Sequence, residues 1–176
     1  PNPVITGLNN TYCLYDPAVT LTGSAQLGDG SGPASGVGTF TVGGTSATTF
    51  NPSTAGVGSH TVQYCFDAAD GVPTIAHPGC TQCISQTVVV NPTPTANAVA
   101  NQTYCNGQVA PITTLTGTPA GVTFAWTNNN TAIGLGASGT GNIPSFTATN
   151  TTTAPIVATI TVTPSYTNAG VTCTGA

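Results

Sequence analysis

Positive charge is missing from this chain altogether: its 176 residues include no Lys and no Arg. Glu and Met are missing too, and the fixed negative charges are Asp16, Asp29, Asp67 and Asp70. Each absence excludes something. Phosphate backbones are held by Lys and Arg, so no nucleic acid is expected as a partner. A basic patch for anionic lipid is excluded on the same ground. No apolar run approaches about 18 residues, so no membrane insertion is expected. Charged residues make up 2% of the chain, where ordinary globular domains have about a quarter. Hydrophobic residues nevertheless make up 39%, too many for a disordered segment. No signal peptide is visible and the first residue is Pro1, which reads as a mature segment or a window cut from something longer.

The apolar residues alternate with Thr. In 61–66, Val62, Tyr64 and Phe66 share one face. In 156–163, Ala158, Ile160 and Val162 point one way while Thr159, Thr161 and Thr163 point the other. Period-2 patterning of this kind marks strands with one buried and one hydroxyl-covered face. Further strands are expected at 19–21, 39–42, 84–90, 122–126 and 146–148, with Gly, Pro and Asn clusters between them. No stretch carries a helical stripe. Many short strands with frequent turn signals predict an all-β fold of sandwich type.

The chain also repeats itself. Thr11-Tyr12-Cys13 returns about 90 residues later as Thr103-Tyr104-Cys105. Leu21-Thr22-Gly23 returns as Leu115-Thr116-Gly117, and Cys80-Thr81 as Cys173-Thr174. Between the copies, Asn91-Pro92-Thr93-Pro94-Thr95 has the composition of a stiff connector. Two tandem immunoglobulin-like sandwiches are therefore expected, residues 1–91 and 92–176, with Pro1-Asn2-Pro3 read as an earlier copy of the connector. In the first copy a full strand follows Cys80; in the second only Thr174, Gly175 and Ala176 follow Cys173. The second sandwich is thus expected to lack its closing strand, supplied either by a continuing chain or by another copy.

Six cysteines without zinc-type spacing predict disulfides and an oxidising compartment. The repeat narrows the 15 possible pairings. Cys13 and Cys80 occupy the places of Cys105 and Cys173, which suggests one equivalent bridge per copy, Cys13–Cys80 and Cys105–Cys173. Cys65 and Cys83 remain. Alternation puts both on the outer face, Cys65 beside Gln63 and Cys83 in step with Ser85, so a cross-strand bridge is expected. An antibody-like Cys13–Cys65 core bridge is the rival.

Other candidates reduce to ordinary roles. Gly134-Leu135-Gly136-Ala137-Ser138-Gly139 fits a dinucleotide fingerprint, but no helix follows to hold a pyrophosphate. Asp67 and Asp70 are too few for a good calcium site, and Asp29-Gly30-Ser31-Gly32 lacks the later acidic ligands. His60 and His77 have no recognisable nucleophile or orienting acid in sequence. Trp126 is assigned to a sandwich core rather than to a sugar platform. Glycosylation sequons begin at Asn9, Asn101, Asn129 and Asn150. No catalytic residue, no metal ligand and no cofactor is expected, and the chain does not read as an enzyme.

A resemblance sharpens this. In the second copy, the run from Thr123-Phe124-Ala125-Trp126-Thr127-Asn128 through Ile133-Gly134-Leu135-Gly136 is continued by Ser145-Phe146-Thr147-Ala148 and Ala158-Thr159-Ile160-Thr161-Val162-Thr163-Pro164. It resembles the PKD-like repeats of giant cell-surface proteins in Bacteroidota, gliding-motility adhesins among them. The first copy resembles a companion Ig-like repeat, through Val19-Thr20-Leu21-Thr22-Gly23, Phe50-Asn51-Pro52-Ser53-Thr54 and His60-Thr61-Val62. The resemblance implies export by the type IX system and a stalk, spacer or adhesive role at the cell surface. It implies partners among neighbouring repeats, copies of the same protein or surface glycans. Such repeats usually carry the outer cysteine pair alone, so Cys65 and Cys83 depart from it, as does the long turn at 68–79. A self-assembling filament subunit and a carbohydrate-binding module are the alternative readings.

Overall fold

The computed structural model describes residues 1–27, 32–68 and 81–175. The chain falls into two compact units, Pro1–Asn91 and Pro92–Ala176. Strands are the regular structure of both, joined by irregular segments, and helix among the described residues is confined to short single turns.

Unit 1 contains β1 (Asn2–Thr6), β2 (Thr11–Cys13), β3 (Val19–Thr20), β4 (Thr22–Gln26), β5 (Gly36–Val42), β6 (Thr45–Ser46) and β7 (Thr49–Phe50). A single helical turn, α1 (Pro52–Ala55), precedes the long strands β8 (Gly58–Ala68) and β9 (Thr81–Asn91). One layer is the sheet β2-β9-β8-β5-β6; the other comprises the pairs β1-β4 and β3-β7. Val62 on β8, Val88 and Val90 on β9, Tyr12, Leu21 and Phe50 interlock between the layers. A second cluster joins Tyr64 and Phe66 to Ala25, with Ile5 and Phe40 packed against it. The hydrophobic face is therefore the even-numbered face of β8, and its odd-numbered residues look outward.

Unit 2 contains β10 (Thr95–Ala96), β11 (Val109–Ala110), β12 (Gly117–Thr118), β13 (Thr123–Asn128) and β14 (Ser138–Thr140). It continues with β15 (Phe146–Thr147), β16 (Ile160–Asn168) and β17 (Val171–Thr174), and one 3₁₀ turn spans Thr131–Ile133. Its main sheet has the order β14-β13-β16-β17, and β10-β12 and β11-β15 form the opposing pairs. Phe124 and Trp126 from β13, Leu115 and Leu135 make its core, with Ile160 and Val162 packed at the margin.

The two units share a layout. β5, β8 and β9 of unit 1 stand to one another as β13, β16 and β17 do in unit 2, all antiparallel. The repeated Leu-Thr-Gly marks the same place in each. Leu21 and Leu115 are buried, and a side chain on the glycine two residues on would collide in both, with the Tyr64 and Phe40 rings at Gly23 and with the Thr95 carbonyl at Gly117.

Two expectations need correction. Pro1-Asn2-Pro3 is not a connector: Asn2–Thr6 pairs residue for residue with β4, from Asn2↔Gln26 to Thr6↔Thr22. Proline is tolerated there because β1 has a partner on one side only. At the edge of the unit 2 sheet, β17 pairs Val171–Thr174 with Ser165–Asn168 through a two-residue turn and leaves 160–163 of β16 paired with β13 alone among the described residues, so the edge expected to lack a full closing strand is covered over four residues. Residues 156–159, expected to begin that strand, are irregular.

Candidate functional site

The strongest local signature is the Tyr-Cys turn, present in both units. In unit 1 the backbone N–H of Cys13 donates to Asp16 Oδ2 at 2.8 Å, and the Asp16 N–H donates back to the Cys13 carbonyl at 3.0 Å. In unit 2 the Cys105 N–H donates to Gln108 Oε1 at 3.0 Å, and the Gln108 N–H returns to the Cys105 carbonyl at 3.0 Å. A side chain three residues on thus closes a backbone turn and satisfies the cysteine's own N–H. The tyrosine beside it packs on a phenylalanine in both cases, and in unit 1 this phenylalanine comes from the opposing layer. Tyr12 meets Phe50 with ring centroids 5.6 Å apart, and Tyr104 meets Phe146 edge-on at 6.3 Å. Asp16, Gln108, Phe50 and Phe146 were not singled out as partners of these turns from the sequence. The available signal was an acceptor side chain three positions after each cysteine.

The turns differ in their sulfur. Cys13 is disulfide-bonded, whereas Cys105 is an exposed free thiol. The expected Cys105–Cys173 bridge is therefore not formed. Cys105 sits on a solvent-facing turn, while Cys173 is buried on β17, opposite Tyr166, and is itself disulfide-bonded. For the expected Cys13–Cys80 bridge, Cys80 lies outside the described residues. Its neighbour Thr81 starts β9, and Cys13 pairs in parallel with Asn91, at the other end of that eleven-residue strand.

On the outer face of the β8–β9 hairpin, Cys65 and Cys83 are directly opposite and disulfide-bonded, with Cα atoms 4.0 Å apart. This short separation belongs to a non-hydrogen-bonded antiparallel pair, where side chains approach most closely. The rival Cys13–Cys65 bridge is excluded by the same bond.

His60 lines a cleft of about 450 Å³ in unit 1, together with Val42, Thr45, Ser46, Asn51, Thr54 and other small residues. Its Nε2 lies 2.8 Å from the Gly56 carbonyl, which only accepts, so this nitrogen carries the proton. The ring also packs beside Phe50 at 6.1 Å. The histidine thereby ties the end of α1 to β8. No carboxylate and no cysteine lines the cleft. His77, Asp29 and Asp70 lie outside the described residues. Asp67 is exposed on β8 opposite Thr81, and no group of three metal-ligating side chains occurs among the described residues.

Trp126 is 4% exposed, with its indole lying against Gly139, where a Cβ would clash with the ring. Its Nε1 finds no hydrogen-bond partner among the described residues. A ring so placed offers no platform to a sugar. The Gly134–Gly139 run is a turn that leads into β14: Gly134 adopts φ +95° after the 3₁₀ turn, and Leu135 enters the core. Among the sequons, Asn9 and Asn101 are exposed, Asn129 Oδ1 accepts from the Thr159 N–H, and the Asn150 side chain bonds within its own turn to Thr152 and Ala154. No helix among the described residues is long and apolar enough to cross a membrane. Compared with known proteins, the chain matches no family model and no curated sequence.

Proposed function

We propose that the chain is a pair of Ig-like and PKD-like modules of a large extracellular surface protein, with a structural or adhesive role and no catalytic one. The observation that carries this reading is the Tyr-Cys turn, built twice with the same backbone closure and with a Tyr–Phe contact beside it in two all-β units of one chain. Duplication of a whole unit, including its turn chemistry, is the mark of an array protein. Disulfide-bonded cysteines fit an oxidising compartment outside the cytoplasm. The outer face of unit 2 supports a role by contact: Thr123, Thr127, Thr161, Thr163 and Thr174 stand on it with no charge among them. Export by the type IX system follows from the resemblance to Bacteroidota surface repeats.

A filament subunit is the second reading, favoured by the outer edge of β5. Strand β6 covers only Thr41 and Val42, and Gly36–Thr39 run exposed beside it, with neither Lys nor Pro to discourage pairing with another chain. The carbohydrate-binding reading is weakened by the burial of Trp126. The test is antibody labelling and protease shaving of intact cells that make the protein, alongside turnover assays on ester, glycoside and peptide substrates. Surface labelling and no turnover are expected. A cytoplasmic location, or an activity lost in His60→Ala, overturns the proposal.

A further inference from the structure

The fold treats the four glycosylation sequons differently. At Asn9 the hydroxyl residue of the sequon, Thr11, is buried on β2 opposite Val89, and the Asn10 carbonyl accepts from the Val89 N–H at 2.8 Å. At Asn129 the backbone N–H donates to the Thr159 carbonyl, and Oδ1 accepts from the Thr159 N–H. At Asn150 the side-chain amide donates to the Ala154 carbonyl at 2.9 Å, and Oδ1 accepts from both the N–H and the hydroxyl of Thr152. Asn101-Gln102-Thr103 has none of these ties. Asn101 and Thr103 are both exposed, and neither side chain has a hydrogen-bond partner among the described residues. The segment 98–104 belongs to no strand and makes no backbone–backbone hydrogen bond among the described residues. It hangs between two fixed points. Asn97 holds Thr116 through its N–H at 2.8 Å and its side-chain amide at 2.9 Å, and Tyr104 packs on Phe146.

We infer that Asn101 is the N-linked glycan site of this chain, modified on the folded protein, and that Asn9, Asn129 and Asn150 stay bare. The inference rests on the reading of the chain as an exported surface module. The donor is an oligosaccharide carried on a lipid pyrophosphate. Asn101 Nδ2 forms a bond to the anomeric carbon while the anomeric C–O bond to phosphate breaks. The lipid pyrophosphate leaves with the bonding electrons, and the amide nitrogen gives up one proton to a base of the transferase. A transferase that reads N-x-[ST] must reach the amide, hold the hydroxyl two residues on and seat the peptide between them. Only at Asn101 are all three released together. Lifting 98–104 into such a seat breaks no backbone pairing, so local opening there costs little. Presenting Thr11 would mean pulling β2 from β9. A glycan also suits this surface, because it supplies the hydration that a chain with four Asp and no Lys or Arg gets little of from charge.

The test maps the whole chain, recovered from the surface of cells that make it, by mass after reduction and digestion. Trypsin has no Lys or Arg to cut at, but a protease of aromatic specificity puts each sequon in its own peptide: 1–12, 67–104, 127–146 and 147–166. Glycan is expected on 67–104 and on none of the other three. Asn101→Gln and Thr103→Ala should each abolish it, while Thr103→Ser should restore it, because the hydroxyl and not the methyl is read. Thermal melting of Asn101→Gln should match the parent, which separates a lost acceptor from a lost fold. A second arm offers the unglycosylated chain, folded or reduced and denatured, to an N-x-[ST] transferase with its lipid-linked donor. The folded chain should be modified at Asn101 alone, and the denatured chain at further sequons. Equal use of all four sequons in the folded chain overturns the proposal. So does a bare Asn101 in both arms, or a glycan on 67–104 that persists in Asn101→Gln. These results leave the surface-module reading standing; a cytoplasmic location overturns that reading instead, whatever the second arm shows.

Discussion

The two units solve one layout with different anchors. Unit 1 has a long closing strand whose Val88 and Val90 are fully buried beside Val62, and a disulfide across the outer face of the same hairpin. Unit 2 has a four-residue closing strand, leaves Ile160 and Val162 only partly buried, and centres its core on the one tryptophan. Their outer faces differ in step. Unit 1 places Thr39, Cys65 and Cys83 in one row and Thr41, Gln63 and Ser85 in the next. Unit 2 places Thr140, Ala125 and Thr163 in one row and Ser138, Thr127 and Thr161 in the next. Backbone pairing fixes the architecture in both, and what stabilises the pairing is free to vary: a covalent cross-strand bond in one, a large buried ring in the other.

Removing each anchor tests that division. Trp126→Ala should have the largest effect, about 3–5 kcal/mol, because truncating a buried aromatic leaves a cavity that the surroundings only partly fill. In calorimetry the loss should fall on unit 2 and leave amide protection in β8 and β9 intact. Equal loss of protection in both units would refute the idea of separate anchors. The mirror experiment is Cys65→Ser with Cys83→Ser. The bond closes a sequence separation of 18, for which loop entropy gives about 3 kcal/mol. Here unit 1 should weaken and unit 2 should not, as read by hydrogen exchange at Tyr64 and Phe66 against Phe124 and Trp126.

The turns give a smaller contrast. Asp16→Ala removes the acceptor for a part-buried N–H and should cost about 1 kcal/mol, since an unsatisfied backbone donor loses its full compensation. Gln108→Ala does the same at an exposed turn, where water replaces the side chain, and should cost only a few tenths of that. Denaturant midpoints of the two variants check the ordering, and a reversal would mean that burial does not set the difference.

The all-β class was legible because Thr alternates with apolar residues over long enough stretches to fix which face is buried. Val62, Tyr64 and Phe66 were read onto one face and are all in the core. The same alternation put Cys65 and Cys83 outward, where they meet. Trp126 was read as core, and it is. The state of Cys105 was not legible. Equivalence between copies says that two residues occupy matching places, not that both are bonded: Cys105 is an exposed thiol on its turn, while Cys173 is buried and bonded. The parallel register of β2 against the last three residues of β9 is likewise a long-range choice that leaves no local pattern. Strand β1 escaped notice for the opposite reason: two prolines within three residues imitate a linker, and only its one-sided pairing makes them acceptable. The brevity of β17 hid it as well, since four residues of Val-Thr-Cys-Thr carry too little alternation to stand out from a turn.

That short strand depends on its turn, which gives the smallest and sharpest prediction. β16 and β17 are joined at Asn168↔Val171 by Ala169 and Gly170 alone. Both have positive φ, +48° and +78°, the geometry of a type I′ hairpin turn. Gly170 accepts this without steric cost. Ala169 does not, because its Cβ crowds the backbone in the left-handed region, a penalty of about 1 kcal/mol. Asparagine tolerates that region and is the preferred first residue of such turns. Ala169→Asn should therefore stabilise unit 2 by about 0.5–1 kcal/mol, raising its melting temperature by about 2–6 °C. Ala169→Val, branched at Cβ, should lower it. The pair is informative because neither side chain enters the core: Ala169 is exposed at the tip, and only backbone preference distinguishes the variants. If asparagine and valine shift unit 2 equally, the hairpin does not use this turn, and the pairing of β17 with β16 is wrong with it.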